Sequence, residues 1–248
     1  MMTDKILCLR HEFKYKIDQL QFDVLRKNLA RILKPDPHMG AAGRYNVRSL
    51  YFDDFRNSAF WEKQAGIYSR DKYRIRIYNC SDAFIKFERK TKIHNYVLKE
   101  SVRITKEEAN RIIAGDVDFL ANSQHKLLRD FYHKTRCDLM KPIAVVEYNR
   151  IAYFYPLGNV RITFDTELRM GLGTISLFDR GICTVSVFNE RDVILEVKYD
   201  EVLPTFISGL FPDTIRPRSA IGKFVMCREQ YMTVTGNPAC CLKCRGSE

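Results

Sequence analysis

The chain has 248 residues, 46% of them apolar, so it is long enough to bury a substantial core. Its 41 lysines and arginines against 30 acidic residues give a formal net charge of +11, which favours an anionic partner: nucleic acid, a membrane surface, a nucleotide or polyphosphate. No run approaches the ~20 apolar residues that span a bilayer, and Ile6 to Leu9 is too short for a signal-peptide core, so membrane-spanning and secreted classes are not expected.

Helical and strand patterns alternate along the chain with no Pro/Gly/Ser-rich linker and no fixed-period repeat. Strands are predicted near 12–16, 47–53, 72–79, 84–90, 96–104, 143–155, 160–168, 183–188 and 192–199. Helices are predicted from Asp18 to about 33, then at 57–66, 105–115 and 123–140, after Pro204, and from Ser219 to 231. Asp18 and Ser219 are read as caps, and Thr105 to Glu108 as a capping box. We expect one domain over residues 1–235 and a disordered tail over 236–248.

The first predicted helix carries apolar residues at helical spacing, which predicts its buried face: Leu20, Val24, Leu25, Leu29, Ile32 and Leu33. The cysteines indicate a reducing compartment. Five are scattered singly, mostly among apolar residues, as small buried thiols would be: Cys8, Cys80, Cys137, Cys183 and Cys227. Cys240, Cys241 and Cys244 crowd the tail, where a C-x-x-C spacing could form half of a zinc site, but no second pair completes it. We therefore expect a cytoplasmic protein with a reduced tail.

Charged residues recur at every second position in several predicted strands: Glu12 to Lys16, Tyr73 to Ile77, Lys86 to Lys90, Arg161 to Asp165 and Glu196 to Lys198. Alternate strand residues share a face, so each strand has one charged and one apolar or mixed face. For a single strand, the simplest interpretation is a charged face turned to water. For the whole set, closing the sheet into a barrel would remove its edges.

The predicted fold is therefore α+β, a closed antiparallel eight-stranded β-barrel tunnel with flanking helices over its apolar outside. A lumen of like charges is tolerable only if it is wet and holds an anion. The carboxylates among those charges suit Mg²⁺ or Mn²⁺, which take oxygen ligands and can bridge a phosphate chain to protein.

Several segments, taken in order, resemble the VTC domain, the polyphosphate polymerase module of the triphosphate tunnel metalloenzyme superfamily, in its bacterial stand-alone form. They are Arg10 to Tyr15, Ser49 to Asp53, Lys72 to Tyr78, Ile85 to Lys90, Lys99, Tyr148 to Arg150, Val160 to Ile162, Leu195 to Lys198 and Gly222 to Phe224. The resemblance covers about residues 8–230. It departs from the family at Gly222, where a serine often precedes the lysine.

The resemblance implies an enzyme that uses ATP and Mn²⁺ or Mg²⁺ to transfer the γ-phosphate onto a growing inorganic polyphosphate chain. It implies that catalytic contacts to phosphate come from Arg74, Arg76, Lys86, Lys99, Arg150 and Arg161. Further phosphate-binding candidates are Lys14, Lys90, Lys198, Lys223 and Ser219. The metal candidates are Glu196, Glu12 and Glu88. The expected partners are thus ATP and polyphosphate, with a membrane protein partner conceivable at the inner face of a membrane.

Two other classes stay open. A tunnel-fold triphosphatase, acting on triphosphate or thiamine triphosphate, or a cyclase would open with Glu-x-Glu-x-Lys, whereas the corresponding strand here has Glu12 and Lys14 with a single glutamate. The second class is a non-catalytic protein that binds polyphosphate or nucleic acid. RNA recognition favours aromatic side chains on the basic face, but Tyr73 alternates with Arg74 and should point away from it. No nucleic-acid partner is therefore expected. Glu196 beside Lys198 could also be a structural ion pair.

Overall fold

A computed structural model describes residues 11–94, 96–187, 192–211 and 221–236 of the chain. The strands are β1 (His11–Ile17), β2 (Lys34–Pro35), β3 (Tyr45–Asp53), β4 (Ser69–Tyr78), β5 (Ser81–Ile93), β6 (Tyr96–Ile104), β7 (Lys141–Tyr155), β8 (Val160–Gly171), β9 (Thr184–Ser186) and β10 (Val193–Tyr199). The helices are α1 (Gln19–Ile32), α2 (Ser58–Gln64), α3 (Lys106–Ala114), α4 (Lys126–Asp138), α5 (Thr205–Ser208) and α6 (Lys223–Thr235). Ser219 and the three tail cysteines lie outside the described residues.

All the strands belong to one antiparallel sheet in the order β1-β10-β8-β7-β3-β4-β5-β6, with β2 added to β7 and β9 to β8. In the described residues β1 and β6 are its two ends and are not paired with each other, so the predicted closed eight-stranded barrel is wrong. The α+β class is right. The sheet nevertheless curls towards closure. The evidence is a contact between strands near its two ends: Lys90 Nζ on β5 lies 3.0 Å from Glu12 Oε1 on β1. Alternation of residues fixes which face is charged, whereas closure depends on strand tilt and stagger.

The outer face of the sheet is apolar and covered by helices, as predicted. On one half, the Phe131 ring of α4 packs against Phe87, Phe52 and Tyr73, with ring centroids 4.8 to 5.3 Å apart. On the other half, Phe22 of α1 packs against Phe164 of β8 at 5.1 Å. These contacts bury every second, apolar residue of the strands. The charged residues between them therefore point to the opposite face of the sheet.

The helix starts follow the predicted caps at Asp18 and Thr105, each of which forms a capping box with the third helical residue. The last helix differs: it begins at Lys223 with Gly222 as the N-cap and no side-chain cap, later than the predicted start at Ser219. Within the described residues, no helix combines the length and apolar character needed to cross a membrane.

Two predictions about buried residues need correction. In α1, Leu20, Val24 and Ile32 are exposed, and the buried face is formed by Phe22, Leu25 and Leu29; Leu33, the residue after the helix, is also buried. Helical spacing alone is compatible with either group of apolar residues being buried, and packing against the sheet decides which group is. Of the single cysteines that are described, only Cys227 is buried; Cys80 is half-buried, and Cys137 and Cys183 are exposed.

Candidate anion-binding site

The curled sheet encloses a cavity of about 850 Å³ on its charged face. Among the described residues that line it, eleven are lysines or arginines and two are carboxylates, Glu12 and Glu196. The cations are Lys14, Lys63, Arg70, Lys72, Arg74, Arg76, Lys90, Lys92, Arg150, Lys198 and Lys223. Bringing this many like charges together is unfavourable unless an anion joins them. The cavity is therefore a candidate site for a highly charged anion.

One wall is organised by Asp165, which is fully buried on β8. Arg150 of β7 donates to both of its oxygens, Nε to Oδ1 at 2.6 Å and Nη2 to Oδ2 at 2.8 Å. Lys223, at the start of α6, places Nζ 2.6 Å from Oδ2. Burial opposes the charged carboxylate, but Arg150 and Lys223 hold the pKa of Asp165 below its usual value. Both cations also lie over the ring of Tyr148, so this wall is fixed before any ligand arrives.

A second group joins β1 and β10, whose register places Lys14 opposite Glu196 and Glu12 opposite Lys198. The Nζ of Lys14 lies 2.9 Å from Glu12 Oε1 and 3.4 Å from Glu196 Oε1. Lys198 reaches Glu196 at 3.2 Å. Burial disfavours the charged form of Glu196, but Lys198 and Lys14 are the main cause of a pKa well below the usual value. Burial likewise opposes ionisation of Glu12, but Lys14 and Lys90 hold its pKa below the usual value, so both carboxylates are ionised at neutral pH and converge on Lys14.

The third group surrounds Glu88 on β5, whose side chain is 1% exposed. Arg74 donates from Nε to Glu88 Oε2 at 2.7 Å and from Nη1 to the hydroxyl of Tyr51 at 2.8 Å. Arg76 lies 3.8 Å from Oε2, and Lys99 of β6 lies 2.6 Å from Oε1. Burial opposes ionisation, yet the three cations keep the pKa of Glu88 far below its usual value. Glu88 thus acts as the counterion that fixes the two arginines.

Most of the predicted site residues come together here. Lys14, Arg74, Arg76, Lys90, Arg150, Lys198, Lys223, Glu12 and Glu196 all line the cavity. Glu88 lies behind the lining, where it contacts Arg74, and Lys99 pairs with Glu88 without lining the cavity itself. Lys86 and Arg161 lie on the same face of the sheet but do not line the cavity. Lys86 lies over the ring of Phe84 at 4.8 Å, and Arg161 contacts Asp36 at 2.7 Å. Their proposed contacts to phosphate stay predictions.

Several lining residues were not identified from the sequence: Lys63, Arg70, Lys72, Lys92, Tyr51 and Tyr148. Asp165, behind the lining, was also missed. Asp165 already ends the charged run that begins at Arg161, so the pattern placed it on the charged face but gave it no role. Arg70 and Lys72 continue the alternation of Arg74 and Arg76, so extending that pattern by one or two steps would have found them. Lys63 lies on a helix and carries no comparable signal.

The start of α6 closes one part of the cavity. Gly222 and Lys223 line it beside Phe224, whose ring stacks on Tyr51 at 5.0 Å between centroids. A Cβ added at Gly222 would lie 3.4 Å from Lys63 Cε, an ordinary van der Waals distance. Gly222 therefore leaves room for the serine that the family often carries at this position.

The cavity carboxylates offer part of a binding shell for a divalent ion. Within the described residues no group of three or more histidine, cysteine or acidic side chains could hold a metal. Glu12 and Glu196 nevertheless face the same point, since Lys14 Nζ lies within 3.4 Å of both. Mg²⁺ is commonly bound by one or two carboxylates together with substrate phosphates. These two glutamates fit such a partial shell, whereas Glu88 is enclosed by three cations and does not line the cavity.

Two cavity lysines, Lys72 and Lys90, and Lys99 beside the cavity have pKa values lowered towards neutral pH. Burial, with repulsion from Arg70 and Lys63, lowers the pKa of Lys72 to about 7. Burial and Lys14 lower that of Lys90 to about 7 despite Glu12, and burial lowers that of Lys99 to about 8 despite Glu88. A bound anion favours the protonated form of each, so binding takes up protons above pH 7.

We predict that sulfate, whose charge is constant over this range, binds more weakly as pH rises from 6.5 to 8.5. The loss should approach roughly tenfold per pH unit for each lysine that must be protonated. Isothermal titration calorimetry at constant ionic strength measures it. In a Lys72→Met variant the fall should be shallower, and an affinity that rises with pH would contradict the assignment.

The model of the VTC domain matches residues 9–232, nearly the whole chain, and the protein belongs to the VTC domain family. A comparison with curated protein sequences finds no match.

Solved structures give weaker likenesses. A proposed adenylate cyclase from Bacillus halodurans matches with 14% identity and a TM-score of 0.46, covering 82% of this chain and 86% of that one. The PH1819 protein from Pyrococcus horikoshii OT3 matches with 13% identity and a TM-score of 0.46, covering 89% of this chain and 99% of that one.

Proposed function

We propose that this protein is an ATP-dependent polyphosphate polymerase, which transfers the γ-phosphate of ATP onto a growing inorganic polyphosphate chain inside the cavity. The observation that supports this most strongly is the composition of the cavity wall, eleven cations against two carboxylates in the described residues of a VTC-family chain. A single phosphate ion would need far fewer charges. A chain of phosphates carries charge along its whole length and matches a wall of this extent.

In the proposed reaction, a terminal oxygen of the chain attacks the γ-phosphorus of ATP, the bond from that phosphorus to the bridging oxygen breaks, and ADP leaves. Phosphoryl transfer depends mainly on positioning and on neutralising charge on the equatorial oxygens. Arg74, Arg76, Arg150 and Lys223 are suited to this because Glu88 and Asp165 already hold them in place. Little rearrangement is then needed when the phosphates bind.

Glu12 and Glu196 would hold a Mn²⁺ or Mg²⁺ ion, which when bound would add positive charge next to the phosphates. Lys14 then has a second role, because its Nζ balances these carboxylates when the ion is absent. A cytoplasmic location and a membrane protein that receives the polymer belong to the same proposal.

The direct test is to incubate the protein with ATP and Mn²⁺, or with ATP and Mg²⁺, and to stain a gel for polyphosphate. The proposal predicts a ladder or smear of polymer that grows with time. Release of orthophosphate without polymer would identify a triphosphatase instead. Tight binding of polyphosphate without turnover under either metal would identify a binding module.

A Glu196→Gln variant should separate the metal from the phosphate contacts. The change keeps the side chain's shape but removes an anionic oxygen, so Mn²⁺ affinity and polymer formation should fall together, by about 100-fold. Polyphosphate affinity should persist or rise, because a negative charge has left the wall. Titration of Mn²⁺ and of polyphosphate, beside the gel assay, gives the three readouts.

The matched control is Glu100→Gln, which alters a glutamate that pairs with Arg89 at 2.6 Å outside the cavity. It should leave all three readouts unchanged. Wild-type turnover in Glu196→Gln would rule out the metal role of Glu196.

A further inference from the structure

The eleven cavity cations fall into two groups. Seven have a carboxylate within ion-pair distance: Lys14, Arg74, Arg76, Lys90, Arg150, Lys198 and Lys223. Among the described residues, no acidic partner lies at that distance from the other four. These are Lys63, Arg70, Lys72 and Lys92, named here the outer cations, and each is half-buried. The cavity therefore has a charge-compensated inner part and an uncompensated outer part.

Strand register makes this arrangement unfavourable in the empty protein. Arg70 lies directly opposite Lys92 across β4 and β5, and Lys72 lies opposite Lys90, which is itself opposite Lys99 on β6. Directly opposed residues of antiparallel strands have Cβ atoms about 5 Å apart, and like charges there are destabilising. Two successive cation pairs on one face are a cost that a bound polyanion would remove.

The remaining outer cation is brought in by a separate element. Lys63 lies on α2, whose first turn is held by Asp53 at the end of β3: the carboxylate accepts from the backbone N–H of Ala59 at 2.8 Å and of Phe60 at 3.2 Å. This fixes α2 so that Lys63 Cε lies beside Gly222, at the start of α6. The outer cations thus come from two strands and a helix anchored on the sheet.

The carboxylates around the outer cations are too remote to balance them. Three carboxylates attract outer cations electrostatically without forming an ion pair, and each raises the pKa of its cation. The pairs are Asp53 with Lys72, Glu62 with Arg70, and Glu12 with Lys92. For Lys63 and Lys72, burial and then the neighbouring cations lower the pKa. A ligand that supplies negative charge would therefore be bound more tightly here than at an ordinary surface lysine.

We propose that the outer cations form a subsite for phosphate units of a polyphosphate chain that extends beyond the inner part of the cavity. The proposal rests on the proposed function for the identity of the polymer. Its consequence is that affinity depends on chain length: a short chain fills the inner part alone, and a long chain also gains the outer contacts. The enzyme would thereby retain its lengthening product between additions.

A phosphate chain fits this subsite better than a nucleic acid does. Phe224 is an aromatic ring of the lining beside the outer cations, and it is already engaged, by Tyr51 at 5.0 Å between centroids and by Lys72 Nζ at 4.9 Å from its centroid. Binding of single-stranded nucleic acid relies on rings that are free to stack with bases. The outer cations are available to phosphate, whereas the Phe224 ring is not free to stack with a base.

The test is a Lys63→Gln/Lys92→Gln double variant, with affinities measured for tripolyphosphate and for long-chain polyphosphate at equal ionic strength. Removing like charges should not impair folding. Affinity for the long chain should fall about 100-fold, roughly tenfold for each lost charge-assisted contact. Affinity for tripolyphosphate should change far less, and the salt dependence of long-chain binding should decrease by about two counterions.

The matched control is Lys27→Gln/Arg31→Gln, which removes the same charge from the exposed side of α1. Its long-chain affinity should stay close to that of the wild type. The subsite is refuted if both double variants lose the same affinity, if the short and long chains are affected equally, or if single-stranded DNA of matched charge competes as well as polyphosphate.

The outcomes also separate the subsite from the enzyme. A wild type that makes no polymer but binds in a length-dependent way that needs Lys63 and Lys92 would refute the polymerase and keep the subsite. A wild type that makes polymer while the double variant keeps full length dependence would refute the subsite alone.

Discussion

An Asp165→Asn variant should lose about 3–5 kcal/mol of unfolding free energy, the usual cost of removing one partner of a buried ion pair. The substitution keeps the shape of the side chain but leaves Lys223 without its ion-pair partner and Arg150 with only the more distant Glu196, at 3.7 Å, and both cations are largely buried. Thermal or urea unfolding in a buffer free of multivalent anions measures the loss. Tripolyphosphate should restore part of it, because the ligand supplies negative charge to the same two cations.

The control for this rescue is Glu147→Gln. Glu147 accepts from Arg48 at 2.6 Å in another largely buried ion pair, but neither residue lines the cavity. The variant should be destabilised, and tripolyphosphate should stabilise it no more than it stabilises the wild type. Equal rescue of the two variants would mean that the anion acts on the protein generally and not at Asp165.

An Arg74→Ala variant should bind tripolyphosphate about 100-fold more weakly and make correspondingly less polymer. Truncating a buried charged hydrogen-bonding side chain in an interface typically costs 2–5 kcal/mol, and each 1.4 kcal/mol is tenfold in affinity. Unlike Glu196→Gln, this change should reduce phosphate binding and turnover together. Calorimetry with tripolyphosphate and the polymer assay provide the two measurements.

Arg89 offers a close control because its surroundings match those of Arg74. Both side chains are 15% exposed, and both donate from Nε to a glutamate at 2.7 Å and from Nη1 to a tyrosine hydroxyl. The Arg89 side chain points to the outer face of the sheet. Arg89→Ala should therefore lower the free energy of unfolding but leave tripolyphosphate affinity unchanged. A similar loss of affinity in both variants would show that Arg74 acts only through stability.

Much of this site could be predicted from local sequence. The alternation around Arg74 and Arg76 fixes their common face, because in a strand that face follows from residue number alone. The caps at Asp18 and Thr105 were predictable for a similar reason, since each depends on residues three positions apart. Family resemblance then connected segments that are distant in the chain, such as Lys14 and Glu196.

What the sequence could not predict depends on long-range geometry. Closure of the sheet was predicted wrongly because pairing of its edges depends on twist and stagger accumulated over all the strands. The sequence of one strand does not determine that sum. The pairing of Asp165 with Lys223 joins a strand to a distant helix. Lys63 reaches the cavity only because Asp53 anchors α2, a contact with no sequence period. The buried face of α1 was likewise decided by what packs against it.

If the cavity holds a phosphate chain, a crystal structure of the protein with tripolyphosphate should show the ligand there. We expect phosphate oxygens within hydrogen-bonding distance of Arg74, Arg76, Arg150 and Lys223, with the chain lying along the charged face of the sheet. Tripolyphosphate bound only to exposed lysines such as Lys27, with the cavity left empty, would contradict this expectation.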